Sequence, residues 1–217
     1  NEDEHGFNVA IGSDALRDQN AGSDAYNVAV GTSAGATITT GTGNTLIGGL
    51  AGDALTTGFE NVAIGKNALG GDVDGTENIA IGRSAMSSTT NARASIAIGY
   101  NALQNLNYGS LTYSHNIGIG FTAGASITTG IQNVIIGGLA GDALTTGGSN
   151  VAIGYEALST EDTTGGAVAV GYQALKMQNA GSTSYNVAVG HQAGELITTG
   201  IQNTIIGGLA ADALTIG

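Results

Sequence analysis

The chain has 217 residues and a formal net charge of −12, from 5 Lys and Arg against 17 Asp and Glu. The basic residues Arg17, Lys66, Arg83, Arg93 and Lys176 are scattered and form no basic run, which argues against nucleic acid and anionic membranes as partners. With 38 Gly, 41% hydrophobic residues and no Pro, Cys or Trp, the chain is neither collagen-like nor compositionally disordered. No apolar run is long enough for a membrane-spanning helix, so no membrane insertion is expected.

In chain order, residues 1–7 are a short polar lead-in, too small for a capping unit. One five-letter word then recurs through residues 8–217. It reads NVAIG at Asn8, NVAVG at Asn27, NTLIG at Asn44, NVAIG at Asn61, NIAIG at Asn78 and SIAIG at Ser95. It continues as NIGIG at Asn116, NVIIG at Asn133, NVAIG at Asn150, AVAVG at Ala167, NVAVG at Asn186 and NTIIG at Asn203. The steps between copies are 19, 17, 17, 17, 17, 21, 17, 17, 17, 19 and 17 residues. A unit this short cannot bury its own apolar face, but stacked units can. The prediction is an all-β chain: one parallel β-solenoid domain of about 12 coils over 8–217, elongated, with a repeat of ~17 residues.

Each unit has a common anatomy. The word is a short strand with bulky Val9 and Ile11 on one side and small Ala10 and Gly12 on the other; Val and Ile are expected inside. Ala15-Leu16, Ala34-Gly35, Ala68-Leu69 and Ala157-Leu158 suggest a second short strand. Thr-Thr-Gly, as at 39–41 and 56–58, suggests a turn with Gly at positive φ. The leading residues Asn8, Asn27, Asn44, Asn61, Asn78, Asn116, Asn133, Asn150, Asn186 and Asn203 are expected to form a side-chain amide ladder or to cap turns.

A longer period overlies the short one. Coils at Asn27, Asn116 and Asn186 follow lengthened arcs, and each is followed by an IGGLA-x-DALT coil, closing blocks at 1–60, 61–149 and 150–217. Extra residues in a solenoid turn are pushed to one side. Tyr26 and Tyr185 sit at matching places in two arcs, and the longest arc carries Tyr108 and Tyr113; these four tyrosines are candidates for recognition.

The N-V-A-I-G word with its small-residue follow-on resembles the left-handed parallel β-roll of the YadA-like heads of trimeric adhesins, and similar words occur in phage tail-fibre repeats. The resemblance implies a homotrimer with an adhesive or structural role. Independently, a strand apolar on both faces favours packing against another chain, a homo-oligomer.

Chemistry-bearing residues are sparse. His5, His115 and His191 have no metal-ligand spacing. Asp72-Val73-Asp74-Gly75 resembles a calcium loop but lacks the remaining ligands. Asp53, Asp142 and Asp212 of the DALT segments suit turn capping. No catalytic residue, cofactor or metal is expected, and the chain is not expected to be an enzyme. The expected role is a non-enzymatic structural or adhesive fibre protein, the shaft or head of a viral tail fibre or bacterial surface adhesin. Its expected setting is extracellular, on a cell-surface appendage or virion, facing a host surface or neighbouring fibre. The alternatives are a head-to-tail self-assembling extracellular filament and an ice-binding solenoid.

Overall fold

The computed structural model describes residues 6–216. His5 and most of the lead-in therefore lie outside the described residues. The chain divides into two compact units, Asn1–Ser114 and His115–Gly217, with the division falling in the longest arc.

Every copy of the word forms a three-residue strand, and no helix occurs among the described residues. In the first unit these are β1 (Val9–Ile11), β2 (Val28–Val30), β3 (Thr45–Ile47), β4 (Val62–Ile64), β5 (Ile79–Ile81) and β7 (Ile96–Ile98). Each pairs in parallel with the next in this order, like position on like: Val28 faces Thr45, Ala63 faces Ala80, Ile81 faces Ile98. The second unit repeats the pattern with β9 (Ile117–Ile119), β10 (Val134–Ile136), β11 (Val151–Ile153), β12 (Val168–Val170), β13 (Val187–Val189) and β14 (Thr204–Ile206). Together the units hold twelve turns of parallel β-solenoid at a spacing of about seventeen residues. The first unit adds β6 (Thr90–Arg93) and β8 (Asn107–Tyr113), a second parallel pair with an irregular register between Thr90 and Ala92.

The word's Gly is required by its backbone. Gly12 has φ +131°, and a Cβ there would stand 2.6 Å from the carbonyl oxygen of Gly31 in the next coil. Any side chain would meet both a strained conformation and a neighbouring backbone.

The sidedness of the word is the reverse of the expectation. Ala29, Ala63, Ala80, Ala97, Ala152, Ala169 and Ala188 are fully buried, whereas the flanking Val and Ile are half-exposed. In coils such as that of Leu69, where a buried Leu follows the word, the inward word position holds only a methyl. The larger core side chains come from the segment expected to be a second strand. That segment is a tight turn. Leu69, Leu103, Leu158 and Leu175 sit there at φ between 45° and 54° and are fully buried. A left-handed conformation on Leu costs about 1–2 kcal/mol, which burying the side chain, worth about 1.5–3 kcal/mol, offsets.

Where this position is Gly rather than Leu, the core is filled from elsewhere. Ile38 and Leu55 point at Gly35 and Gly52, and Leu144 and Ile197 at Gly141 and Gly194; Ile127, three residues after Gly124, is likewise fully buried. Leu46, Ile135 and Ile205 replace the usual word Ala in the coils that follow the lengthened-arc coils. The Ala-Gly coil and its DALT partner are thus a second way of filling the same cross-section.

The Thr-Thr-Gly glycines are also used differently from the expectation. Gly41 and Gly130 lie outside the positive-φ region. Their value is close approach: a Cβ on either would collide with the carbonyl oxygen of Gly58 or Gly147 one coil on.

Candidate functional site

The Asn residues form a buried ladder running along each unit. The backbone N–H of Asn44 donates to Asn27 Oδ1 at 2.8 Å, that of Asn61 to Asn44 Oδ1 at 3.0 Å, and that of Asn78 to Asn61 Oδ1 at 3.0 Å. Side-chain N–H groups also reach carbonyls fourteen residues on: Asn44 Nδ2 donates to Gly58 O at 2.9 Å and Asn61 Nδ2 to Gly75 O at 2.8 Å. Asn8 accepts from Asn27 N–H at 2.7 Å. Asn116, Asn133, Asn150, Asn186 and Asn203 repeat the arrangement in the second unit. The amide ladder and the turn cap are therefore one device, and it is internal.

The lengthened arcs carry their own polar plug. Gln19 Oε1 accepts from Asn27 Nδ2 at 2.8 Å, and Gln178 Oε1 accepts from Asn186 Nδ2 at 2.8 Å. Gln178 is fully buried and also donates to Glu161 Oε2 at 3.1 Å. It lies in the coil opened by Ala167, which with Ser95 is one of the two rungs that have no amide of their own. In these two arcs the Gln near the start is thus packed inward, and the residues at 22–24 and 181–183 face outward.

The four arc tyrosines separate accordingly. Tyr26 is 60% and Tyr185 62% exposed. Tyr113 is exposed under the Arg93 guanidinium, 4.1 Å from its ring centroid, and Arg93 in turn pairs with Glu77 at 2.6 Å. Tyr108 departs from an outward-facing recognition role: it is 5% exposed, on β8, beside fully buried Leu106. That arc folds as a strand against β6, and Tyr108 is the one buried residue of β8.

Two surface features escaped the sequence reading. The first is the outward Val/Ile face: on β4 and β5 Val62, Ile64, Ile79 and Ile81 form two adjacent columns, and β11 and β12 do the same with Val151, Ile153, Val168 and Val170. The second is an aromatic stack on the residue after the word's Gly. Tyr155 and Tyr172 stack at 5.8 Å, and Tyr172 and His191 at 5.0 Å. Its signal was a ring at the same offset in successive words.

The remaining polar residues offer no metal centre: no cluster of three or more His, Cys, Asp or Glu suited to a metal occurs among the described residues. His115 and His191 are exposed. Asp72 is fully buried and caps its own turn, its Oδ1 accepting N–H from Gly75 and Asn91 at 3.0 Å each. Burial pushes the Asp53 and Asp142 carboxyls above the usual range, while Asp212 is exposed.

In the second unit a cleft of about 600 Å³ opens beside Tyr185, walled by residues 163–166 and 181–183 with Ser149. These observations define a parallel β-solenoid repeat protein with an internal amide ladder, an outward β-branched face and tyrosine-bearing arcs. Comparison with family models, curated proteins and solved structures returns no match.

Proposed function

We propose that the chain is a non-enzymatic structural and adhesive fibre element, the shaft or head of a viral tail fibre or bacterial surface appendage, working outside the cell as a homotrimer. The observation that carries this reading is the outward face of each unit. Water-facing strands of a one-sided sheet normally carry polar residues outward. Here the outward columns are Val and Ile, and the inward ones are Ala. Apolar surface of this continuity marks an interaction site, and in-register identical columns suit a second copy of the same chain. The Asn ladder supplies what a fibre element needs, buried hydrogen bonds that tie one coil to the next, with the arcs left to present side chains.

The test is assembly state joined to adhesion. A trimer in solution that dissociates when Val62 and Ile64 are changed together to Asp, with retained β circular dichroism, supports the reading. A monomer unaffected by that change removes it. Adhesion is read as retention of the purified protein on intact host-type cells, lost on deleting the exposed arc residues 181–183.

A further inference from the structure

The tyrosines of the first and last lengthened arcs stand in matching positions, nineteen residues after Phe7 and Gly166 respectively. Both have a left-handed backbone, with φ 53° at Tyr26 and 49° at Tyr185. In the first unit the chain satisfies its own tyrosine. The Phe7 ring stacks on Tyr26 at 5.6 Å and 9°, and Tyr26 Oη donates to Asp24 Oδ2 at 3.2 Å. In the second unit both partners are replaced: Gly166 stands in the place of Phe7 and Thr183 in that of Asp24. A Cβ on Gly166 would stand 3.1 Å from Thr183 Cγ2 and at the Tyr185 ring, 3.3 Å from Cδ1 and 3.5 Å from Cε1. A side chain from 166 would therefore lie over the ring, as Phe7 does over Tyr26. Among the described residues no ring stacks on Tyr185.

The cleft of about 600 Å³ lies at this place, lined by Gly166 and Tyr185 among others. The volume lies within the roughly 300–1,000 Å³ of small-ligand sites. Its walls carry no charged side chain; they are glycine backbone and the hydroxyls of Ser149, Thr163, Ser182 and Thr183. Thr164, also in the wall and 7% exposed, keeps its Oγ1 buried without a hydrogen-bond partner. An aromatic face bordered by neutral hydroxyls and bare backbone matches a ring with an apolar C–H face and a hydroxyl rim. A phenyl ring would cover the tyrosine and leave the hydroxyls unanswered. A phosphate or carboxylate would find no cation.

We infer that the Tyr185 cleft binds one neutral pyranose ring, stacked on Tyr185 where Phe7 lies in the first unit. The inference deepens the adhesive part of the proposed function and rests on it for its biological use, though not for its chemistry.

The experiment is saturation-transfer NMR on the full chain with methyl β-D-galactopyranoside, methyl α-D-glucopyranoside, N-acetylglucosamine and, as an aromatic probe, phenol. Transfer to the ring C–H protons of at least one sugar is expected, with a Kd of about 1–10 mM for a ligand of this size. Tyr185→Ala weakens it by about 10-fold or more, Tyr185→Phe keeps it within about 3-fold, and Tyr26→Ala leaves it unchanged. Gly166→Phe blocks it by installing the first unit's own ring; if that variant does not fold, the exposed Tyr185 pair decides. No transfer to any sugar, transfer unaltered in Tyr185→Ala, or transfer to phenol above every sugar overturns the site. The oligomeric mass is measured on the same samples. A trimer that binds no sugar overturns this site alone, and a monomer that binds through Tyr185 overturns the trimer alone.

Discussion

Leu46 occupies the space that Gly35 leaves: a Cβ on Gly35 would stand 2.7 Å from Leu46 Cδ1, one coil away. The pairing recurs in the second unit, where a Cβ on Gly194 would stand 2.9 Å from Ile205 Cδ1. The two-coil block ending is therefore a packing unit, in which a missing side chain in one coil is answered by a larger one in the next.

Gly35→Ala overfills this site and is expected to cost about 1–3 kcal/mol. Leu46→Ala opens a cavity and costs about 2–5 kcal/mol. The double variant is expected to be more stable than the sum of the two losses predicts, by about 0.5–3 kcal/mol. Urea denaturation of the four proteins checks this. Gly22→Ala is the control for left-handed strain without crowding, since nothing lies within 4 Å of a Cβ there.

The amide ladder sets a second expectation. Asn44→Ala removes the donor to Gly58 O and the acceptor of Asn61 N–H, both fully buried. A loss of about 2–4 kcal/mol follows from the unpaired groups left behind. Gln178→Ala should be more damaging than Gln19→Ala, because Gln178 Nε2 serves the fully buried Glu161 carboxylate whereas Gln19 Nε2 serves the backbone carbonyl of Thr39. Equal losses at the two glutamines would contradict the role given to the arc plug.

Asp72 sets a pH dependence. Burial raises its carboxyl from 3.8 to about 6, against the lowering effect of the N–H groups of Asn91 and Gly75, and its Oδ2 has no partner. The folded state thus holds the proton more tightly than the unfolded chain. Below about pH 4 the group is protonated in both states and costs nothing; its cost grows as pH rises from about 4 to 6 and is constant above. The difference in proton affinity corresponds to about 3 kcal/mol. Asp72→Asn is therefore expected to be more stable than the parent at pH 7.5 by about 1–3 kcal/mol, with the gain vanishing near pH 3.5. Paired thermal melts across this range check it, and a gain independent of pH contradicts it.

The word, its step and the Asn column were legible because parallel in-register stacking demands the same letter at the same place in each coil. The orientation of the word was not. Val9, Ala10 and Ile11 are all apolar, so alternation marks a strand without saying which side is interior. The interior volume is taken instead by Leu69 and its equivalents, fully buried from a turn with a left-handed backbone. Left-handed Leu has no sequence signature, which is also why that turn resembled a strand. Tyr26 and Tyr185 were found from the arc period; Tyr108 was assigned outward because pairing of β8 with β6 is a long-range event.

The outward β-branched columns carry the functional account. Changing Val151 and Ile153 together to Asp should leave the β circular dichroism signal intact and abolish association, since both side chains are half-exposed and Ala152 between them is the buried one. Loss of the fold in this variant would mean that the columns are interior to a single chain.

The most direct test is sedimentation velocity of the parent chain at micromolar concentration and physiological salt. The account predicts one species of three times the 21.2 kDa chain mass, reduced to the single-chain mass by the Val62 and Ile64 changes to Asp. A parent that sediments as a 21.2 kDa monomer across that range contradicts it.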